Sequence, residues 1–176
     1  MHNLRAMPLA AFGVLLCLAG SPTAQAQDAP AIPDFIKIEH EELHEELAKA
    51  IAAGGKTGDA AREVEAVLTP HFEKEEAYAM PPLGLLVPLS RGEIAPEMRS
   101  VLMMTDRLRA DLPEMLKEHE GIHVALQRLA EAAKAENQLD AAAFAEHLAQ
   151  HAEEEEQILY PAALLVGDYL RVKLEK

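Results

Sequence analysis

The stretch that decides the fold is HAEEEEQILYP, which runs from His151 to Pro161. A closely similar stretch, HFEKEEAYAMP, runs from His71 to Pro81. In both stretches a glutamate follows the histidine by four positions and a proline follows it by ten. Residues four apart lie on one face of a helix, so each histidine and its glutamate point the same way. The two pairs are His71 with Glu75 and His151 with Glu155.

A second repeated pattern is EHEELHEEL at residues 39–47 and EHEGIHVAL at residues 118–126. Both copies carry a histidine at their second and sixth positions, and their order relative to the first pattern is the same. We infer a duplicated helical hairpin. Two such hairpins packed together form an antiparallel bundle. The predicted fold is therefore all-α: an up-down four-helix bundle, with an extra helix or loop segment between the second and third helices.

The helices of this bundle follow from apolar stripes with helical spacing. They are helix A at residues 34–53, helix B at 58–80, helix C ending near 135 and helix D beginning near 140. Residues 81–96 contain four prolines and two glycines, which predicts a loop or broken turn. A further helix is expected from about residue 96, kinked or split at Pro113, and Pro161 is expected to bend the chain into an apolar tail.

The first 26 residues have the features of a secretory signal peptide. Arg5 gives a positive start, residues 9–20 are apolar, and Ala24-Gln25-Ala26 fits a cleavage site. We expect residues 1–26 to be removed, residues 27–33 to form a leader, and residues 34–176 to form the bundle domain of an exported, periplasmic protein. The apolar run is too short for a comfortable membrane span. The single cysteine, Cys17, lies within it, so thiolate chemistry is not expected in the mature chain.

The charge balance excludes two classes of partner. The formal net charge of the chain is -14 at pH 7. Nucleic acids and anionic lipid surfaces are bound by clusters of Lys and Arg, which this acidic chain does not offer.

Histidines and carboxylates buried inside a bundle need a hydrogen-bonding partner or a bound cation. Burying a carboxylate costs on the order of several kcal/mol unless it is paired or bound to a cation. A dinuclear metal site meets this need, with each histidine on one ion and Glu75 and Glu155 bridging both. Imidazole and carboxylate without thiolate suit iron, manganese or zinc. His147 is expected in the core or beside the ligands, and Tyr78 in the core with its hydroxyl at the edge of the site.

Together the four segments quoted above resemble the hemerythrin-like, HHE cation-binding domain family, over about residues 34–163. The resemblance implies a bundle that holds two non-haem iron ions joined by an oxo or hydroxo bridge. The ligands it implies are His40, His71, Glu75, His119, His151 and Glu155, with His44 or His123 as further candidates. Oxygen carriers of the family place their last acid five residues after the final histidine. Glu156 has that position here, but Glu155 is preferred because Glu75 has the same offset in the first repeat.

The number of positions on iron limits how many histidines bind. Two bridging carboxylates, a bridging oxygen and two histidines give each ion five ligands, which leaves one open position on each six-coordinate ion. If His44 and His123 both bound, no position would remain. We therefore expect at most one of them to be a ligand.

Three functions are compatible with such a centre. The first is binding of O2 or NO for storage, delivery, scavenging or stress protection. The second is an enzyme, a di-iron oxidase or peroxidase, for which peroxide is a further ligand; the third is iron handling. A ferritin-like carboxylate site ranks lower, because its Glu-x-x-His motif would leave four of the repeated histidines without a role. The sequence leaves the oligomeric state open.

Overall fold

The computed structural model describes residues 29–174, which form helices joined by short connections. The longer helices are α1 (Asp34–Ala52), α2 (Gly55–Lys74), α4 (Ser100–Ala135), α5 (Leu139–Glu154) and α6 (Tyr160–Leu174). A short helix, α3 (Leu86–Ser90), lies between α2 and α4. Residues 29–174 contain no strand, which confirms the all-α prediction. The predicted signal peptide lies outside the described residues.

Four helices make the bundle. Helix α2 packs against α1 and α4, and α5 packs against α4 and α1, so the four close into a ring. The connections at the end away from the site are short and need left-handed backbone: Gly54 has φ 67° and Asn137 has φ 57°. Short connections make consecutive helices antiparallel. The structure thus has the up-down four-helix bundle that the repeat predicts.

Several local predictions need correction. Helix α2 begins at Gly55 rather than 58. The segment after Pro81 is only partly a loop: Pro81–Leu85 form a 3-10 helix that leads into α3, and residues 91–95 are the non-helical part. Pro113 does not split its helix, since α4 runs unbroken through it. The C-terminal tail is helix α6, which packs against the first half of α4.

One turn of π-helix follows each histidine of the two His-Glu pairs: Glu75–Ala79 follows His71, and Glu155–Leu159 follows His151. The Met80 N–H donates to the carbonyl of Glu75, five residues back, at 2.8 Å. A proline stands two residues after each turn, and proline has no N–H and crowds the carbonyl four residues before it. The wider turn accommodates this defect without ending the helix. Each π turn begins at the glutamate of a predicted His-Glu pair.

Two apolar clusters lie on either side of the histidines. The lower core contains Leu43, Leu68, Ile122 and Leu148, and the upper core contains Ile36, Tyr78, Met115 and Tyr160. Along the chain, each histidine of the layer lies between a residue of the lower core and a residue of the upper core. On α1, for example, Ile36 and Leu43 flank His40. The two cores hold the four helices at fixed spacing above and below the polar layer.

Two contacts fix helix ends and crossings. The carboxylate of Glu136, after α4, accepts hydrogen bonds from the N–H groups of Lys56 and Thr57 and from the Thr57 hydroxyl, at 2.7–3.0 Å. It therefore caps the first turn of α2. Where α6 crosses α4, a Cβ added at Gly167 would lie 2.2 Å from Thr105 Oγ1, so the two helices approach too closely there for a larger residue.

No helix in the described part of the chain combines the length and apolar character needed to cross a membrane.

Candidate metal centre

Six side chains meet in one buried layer. Each is at most 3% exposed, although all six are polar. The two π turns contribute the carboxylates, and four different helices contribute the imidazoles. The six are His40 on α1, His71 on α2, Glu75 on the first π turn, His119 on α4, His151 on α5 and Glu155 on the second π turn.

One half of this layer is built around two facing imidazoles. The Nε2 atoms of His71 and His119 are 2.8 Å apart. Glu75 Oε1 is 3.3 Å from His71 Nε2, and Glu155 Oε2 is 3.4 Å from His119 Nε2. Ligand atoms of these four residues all lie within 4.8 Å of one another, so one cation fits among them.

The other half contains His40 and His151, whose ring centroids are 5.3 Å apart. Glu155 Oε1 is 3.0 Å from His151 Nε2 and 3.8 Å from His40 Nε2. Glu75 Oε2 is 4.0 Å from His40 Nε2. Each carboxylate therefore directs one oxygen toward each half, which is the arrangement a carboxylate bridge between two cations requires.

Each of the four imidazoles faces a second glutamate through its outer nitrogen, Nδ1. The pairs are His71 with Glu118 at 2.9 Å, His119 with Glu156 at 2.8 Å, His40 with Glu76 at 3.4 Å, and His151 with Glu39 at 3.3 Å. Two of these glutamates immediately precede a site histidine in the sequence, and two immediately follow a site glutamate. The four outer carboxylates therefore occupy equivalent positions in the two repeats, as the inner residues do.

The outer carboxylates set the direction of the imidazole lone pairs. An ionised carboxylate only accepts hydrogen bonds, so in neutral His40, His71 and His119 the proton lies on Nδ1. The lone pair of Nε2 then points inward, as metal ligation needs. Nδ1 of His151 lies 3.3 Å from Glu39 but makes no hydrogen bond. Among the inward atoms, His40 Nε2, His151 Nε2, Glu75 Oε2 and Glu155 Oε1 have no hydrogen-bond partner in the described structure. Buried polar atoms without partners are costly, and two cations would satisfy all of them.

Without a cation, the cluster compensates by binding protons. Burial by itself lowers a histidine pKa, but the adjoining carboxylates raise the pKa of His71 and of His151 to about 9 and also raise that of His40. Burial and the neighbouring Glu155 raise the pKa of Glu75. Burial would raise the pKa of Glu155 as well, but three imidazoles lower it well below its usual value. A metal ion would take the place of these protons.

Tyr160 is a site residue that the sequence did not single out. Its hydroxyl donates a short hydrogen bond to Glu75 Oε1 and lies 3.4 Å from His71 Nε2 and 3.3 Å from His119 Nε2. Tyr78, which was expected at the edge of the site, instead has its hydroxyl 3.7 Å from Met115 Sδ. The repeat gave no signal for it, because the residue that precedes the first proline is Met80 rather than a tyrosine.

The other histidines lie apart from this layer. His44 is exposed and His123 is half-buried, and neither belongs to the groups whose ligand atoms converge. The ring of His44 meets the edge of Phe72, whose face stacks on His40 at 4.2 Å. His147 lies neither in the core nor beside the six residues of the layer, because its Nδ1 pairs with Glu46 at 3.1 Å at the surface.

The structure also separates the two neighbouring acids. Glu155 is 1% exposed and points into the layer, whereas Glu156 is 36% exposed and meets the outer nitrogen of His119. The same division holds in the first repeat, where Glu75 is buried and Glu76 is half in solvent. The internal repeat therefore places the acid four residues after each histidine inside, and the next acid outside.

The fold and the buried cluster define a helical-bundle protein with a His/Glu site able to hold metal. The sequence model of one protein family, the hemerythrin HHE cation-binding domain, matches residues 31–163, so the chain belongs to this family. Comparisons with curated proteins and with solved structures found no match.

Proposed function

We propose that this protein holds two non-haem iron ions and binds O2 or NO reversibly at them. The ligands we assign are the six buried side chains of the layer: His40, His71, Glu75, His119, His151 and Glu155. His71 and His119 would hold one ion, and His40 and His151 the other. Glu75 and Glu155 would bridge the two ions.

The observation that carries this proposal is the division of each carboxylate between the halves. Glu155 directs Oε2 toward His119 and Oε1 toward His151, and Glu75 directs Oε1 toward His71 and Oε2 toward His40. A single ion would not account for a second pair of imidazoles facing the opposite oxygens. The donor set is imidazole and carboxylate, which suits iron. Two ferrous ions held by these residues would supply the electrons for reversible binding of a diatomic ligand.

The surroundings of the layer support ligand binding at a protected centre. All six ligands are buried, and the upper and lower cores exclude bulk water from both sides. Small uncharged molecules enter such a site more easily than ions or large substrates. This favours O2 or NO over a bulky substrate.

The test is anaerobic loading with ferrous iron, followed by metal analysis and optical spectra. We expect two irons per chain, and a band that forms on exposure to O2 and disappears when O2 is removed. A band that forms and cannot be reversed would instead indicate a di-iron oxidase, a peroxidase or iron handling. Failure to retain iron would refute the proposal.

Two histidines on α1 offer a matched pair of variants. His40→Ala removes a proposed ligand and is expected to lower the iron content to one per chain or less. His44→Ala removes an exposed imidazole one turn away and is expected to keep two irons. Equal iron loss in the two variants would contradict the ligand assignment.

We also propose that the protein acts in the periplasm after residues 1–26 are removed. The support is the sequence of this segment: a positive start, an apolar stretch and a small-x-small site. Cell fractionation of the full-length chain, with N-terminal sequencing of the mature product, tests this. A product that begins at Gln27 in the periplasmic fraction is expected, and an uncleaved product in the cytoplasm would refute it.

A further inference from the structure

We propose that the Tyr160 oxygen is itself a ligand of the ion held by His71 and His119, so that the two irons are chemically unlike. This inference rests on the di-iron function proposed above. Tyr160 is 1% exposed, and its hydroxyl lies among site atoms. Its oxygen lies within 3.4 Å of the Nε2 atoms of both His71 and His119.

The distances around Tyr160 are those between ligands of one ion. Adjacent ligands on a six-coordinate ion with bonds of about 2.1 Å lie about 3 Å apart. The Tyr160 oxygen is 3.4 Å from His71 Nε2 and 3.3 Å from His119 Nε2, and these nitrogens are 2.8 Å apart. Glu75 Oε1 adjoins both His71 and Tyr160. The hydroxyl therefore occupies a corner of the coordination shell rather than a position behind it.

The other half of the layer has no matching oxygen from the equivalent position. The repeat offset of 80 residues relates Tyr160 to Met80, and both are fully buried next to a proline. A thioether is a soft ligand and a poor partner for iron in an imidazole and carboxylate site. The duplicated cage is therefore unequal, with an extra oxygen donor at the His71–His119 half alone among the described residues.

Ligation changes the protonation of the tyrosine. The phenol O–H bond is replaced by a bond between the oxygen and Fe(III), and the proton is released to solvent, as with other ligands that bind metal in deprotonated form. The hydrogen bond from Tyr160 to Glu75 is lost, and both oxygens become ligands of one ion. By the ligand count, the one open position then lies on the ion held by His40 and His151.

The experiment is resonance Raman spectroscopy of the ferric, iron-loaded protein. We expect a visible phenolate-to-Fe(III) charge-transfer band whose excitation enhances tyrosine ring modes, and we expect those modes to shift when the protein is grown with ring-deuterated tyrosine. Tyr160→Phe is expected to lose both the band and the modes. Tyr78→Phe and Tyr169→Phe are matched controls and should keep them, because Tyr78 contacts Met115 and Tyr169 is exposed.

Each outcome decides the question. Two irons per chain without ring modes in the unaltered protein would overturn the tyrosine ligand and leave the di-iron function standing. Ring modes that survive in Tyr160→Phe would also overturn it. If Tyr160→Phe takes up no iron, the isotope shift in the unaltered protein still shows a tyrosine ligand, and the two control variants assign it. A chain that takes up no iron overturns both proposals.

Discussion

Three consecutive glutamates, Glu154, Glu155 and Glu156, provide a sharp test of the proposed centre. Replacing each in turn with glutamine removes one negative charge and preserves the size of the side chain. Glu155 directs an oxygen to each half of the layer. Glu156 meets only the outer nitrogen of His119, at 2.8 Å. Glu154 is exposed and bonded to Gln150 on its own helix.

The expected losses of iron affinity differ by position. Removing one partner of a buried charged pair costs about 3–5 kcal/mol, so Glu155→Gln should weaken iron binding more than about a hundredfold. Loss of a carboxylate that orients a metal-binding histidine costs about ten- to a hundredfold. The lower figure applies to Glu156→Gln, because the amide oxygen still accepts a hydrogen bond from His119. Glu154→Gln should have no measurable effect.

The assay is competition for ferrous iron against a chromophoric chelator, with iron counted per chain at each chelator concentration. Circular dichroism of the metal-free variants serves as the control for folding. The order of effect should be Glu155, then Glu156, then Glu154. A Glu156→Gln variant that loses more iron than Glu155→Gln would refute the inward assignment of Glu155 and favour the acid five residues after the histidine.

Three further predictions concern stability. The pKa values of His71 and His151 are raised from 6.5 to about 9. The stability that their protonation contributes to the metal-free protein is therefore complete below about pH 6.5 and is lost as the pH rises through 9. The melting temperature of the metal-free protein should fall over that range, and a melting temperature that does not change with pH would contradict this. Gly167→Ala adds a methyl group 2.2 Å from a neighbouring hydroxyl and should destabilise the fold by about 1–3 kcal/mol in urea unfolding, whereas Gly121→Ala, which meets open space, should be neutral or stabilising. Glu136→Gln should speed amide hydrogen exchange in the first turn of α2, and unchanged exchange there would argue against the cap.

The bundle could be predicted from the sequence because the repeat carries long-range information. Two copies of a hairpin with matched histidines, Glu75 and Glu155 at one offset, and matched prolines leave few arrangements that bury the apolar stripes. The proline effects were less predictable. Pro113 continues a helix and Pro161 follows a π turn, because packing of the flanking turns compensates for one lost hydrogen bond. A local rule for proline cannot include that compensation.

The inner layer followed from the repeat, but its outer carboxylates did not. Glu39 and Glu118 each precede a site histidine, yet exposed glutamates are common on helices and the spacing alone gave no partner for them. Their partners lie on other helices, His151 for Glu39 and His71 for Glu118, so only the packed bundle shows the pairs. Tyr160 was missed for a different reason: its counterpart in the repeat is Met80, so the repeat pointed away from it.

The inequality between the two halves bears on how a small ligand would reach the centre. A surface depression of about 230 Å³ is lined by Ile32, by residues of α1 that include His40, and by Glu76. Glu76 is half in solvent and meets His40 at 3.4 Å, the longest of the four contacts between an outer carboxylate and an imidazole. The depression thus adjoins the half that lacks a tyrosine, where the proposed ligand set would leave an open position. If Tyr160 occupies the last position on the other ion, then the open position and the surface depression lie on the same side of the bundle.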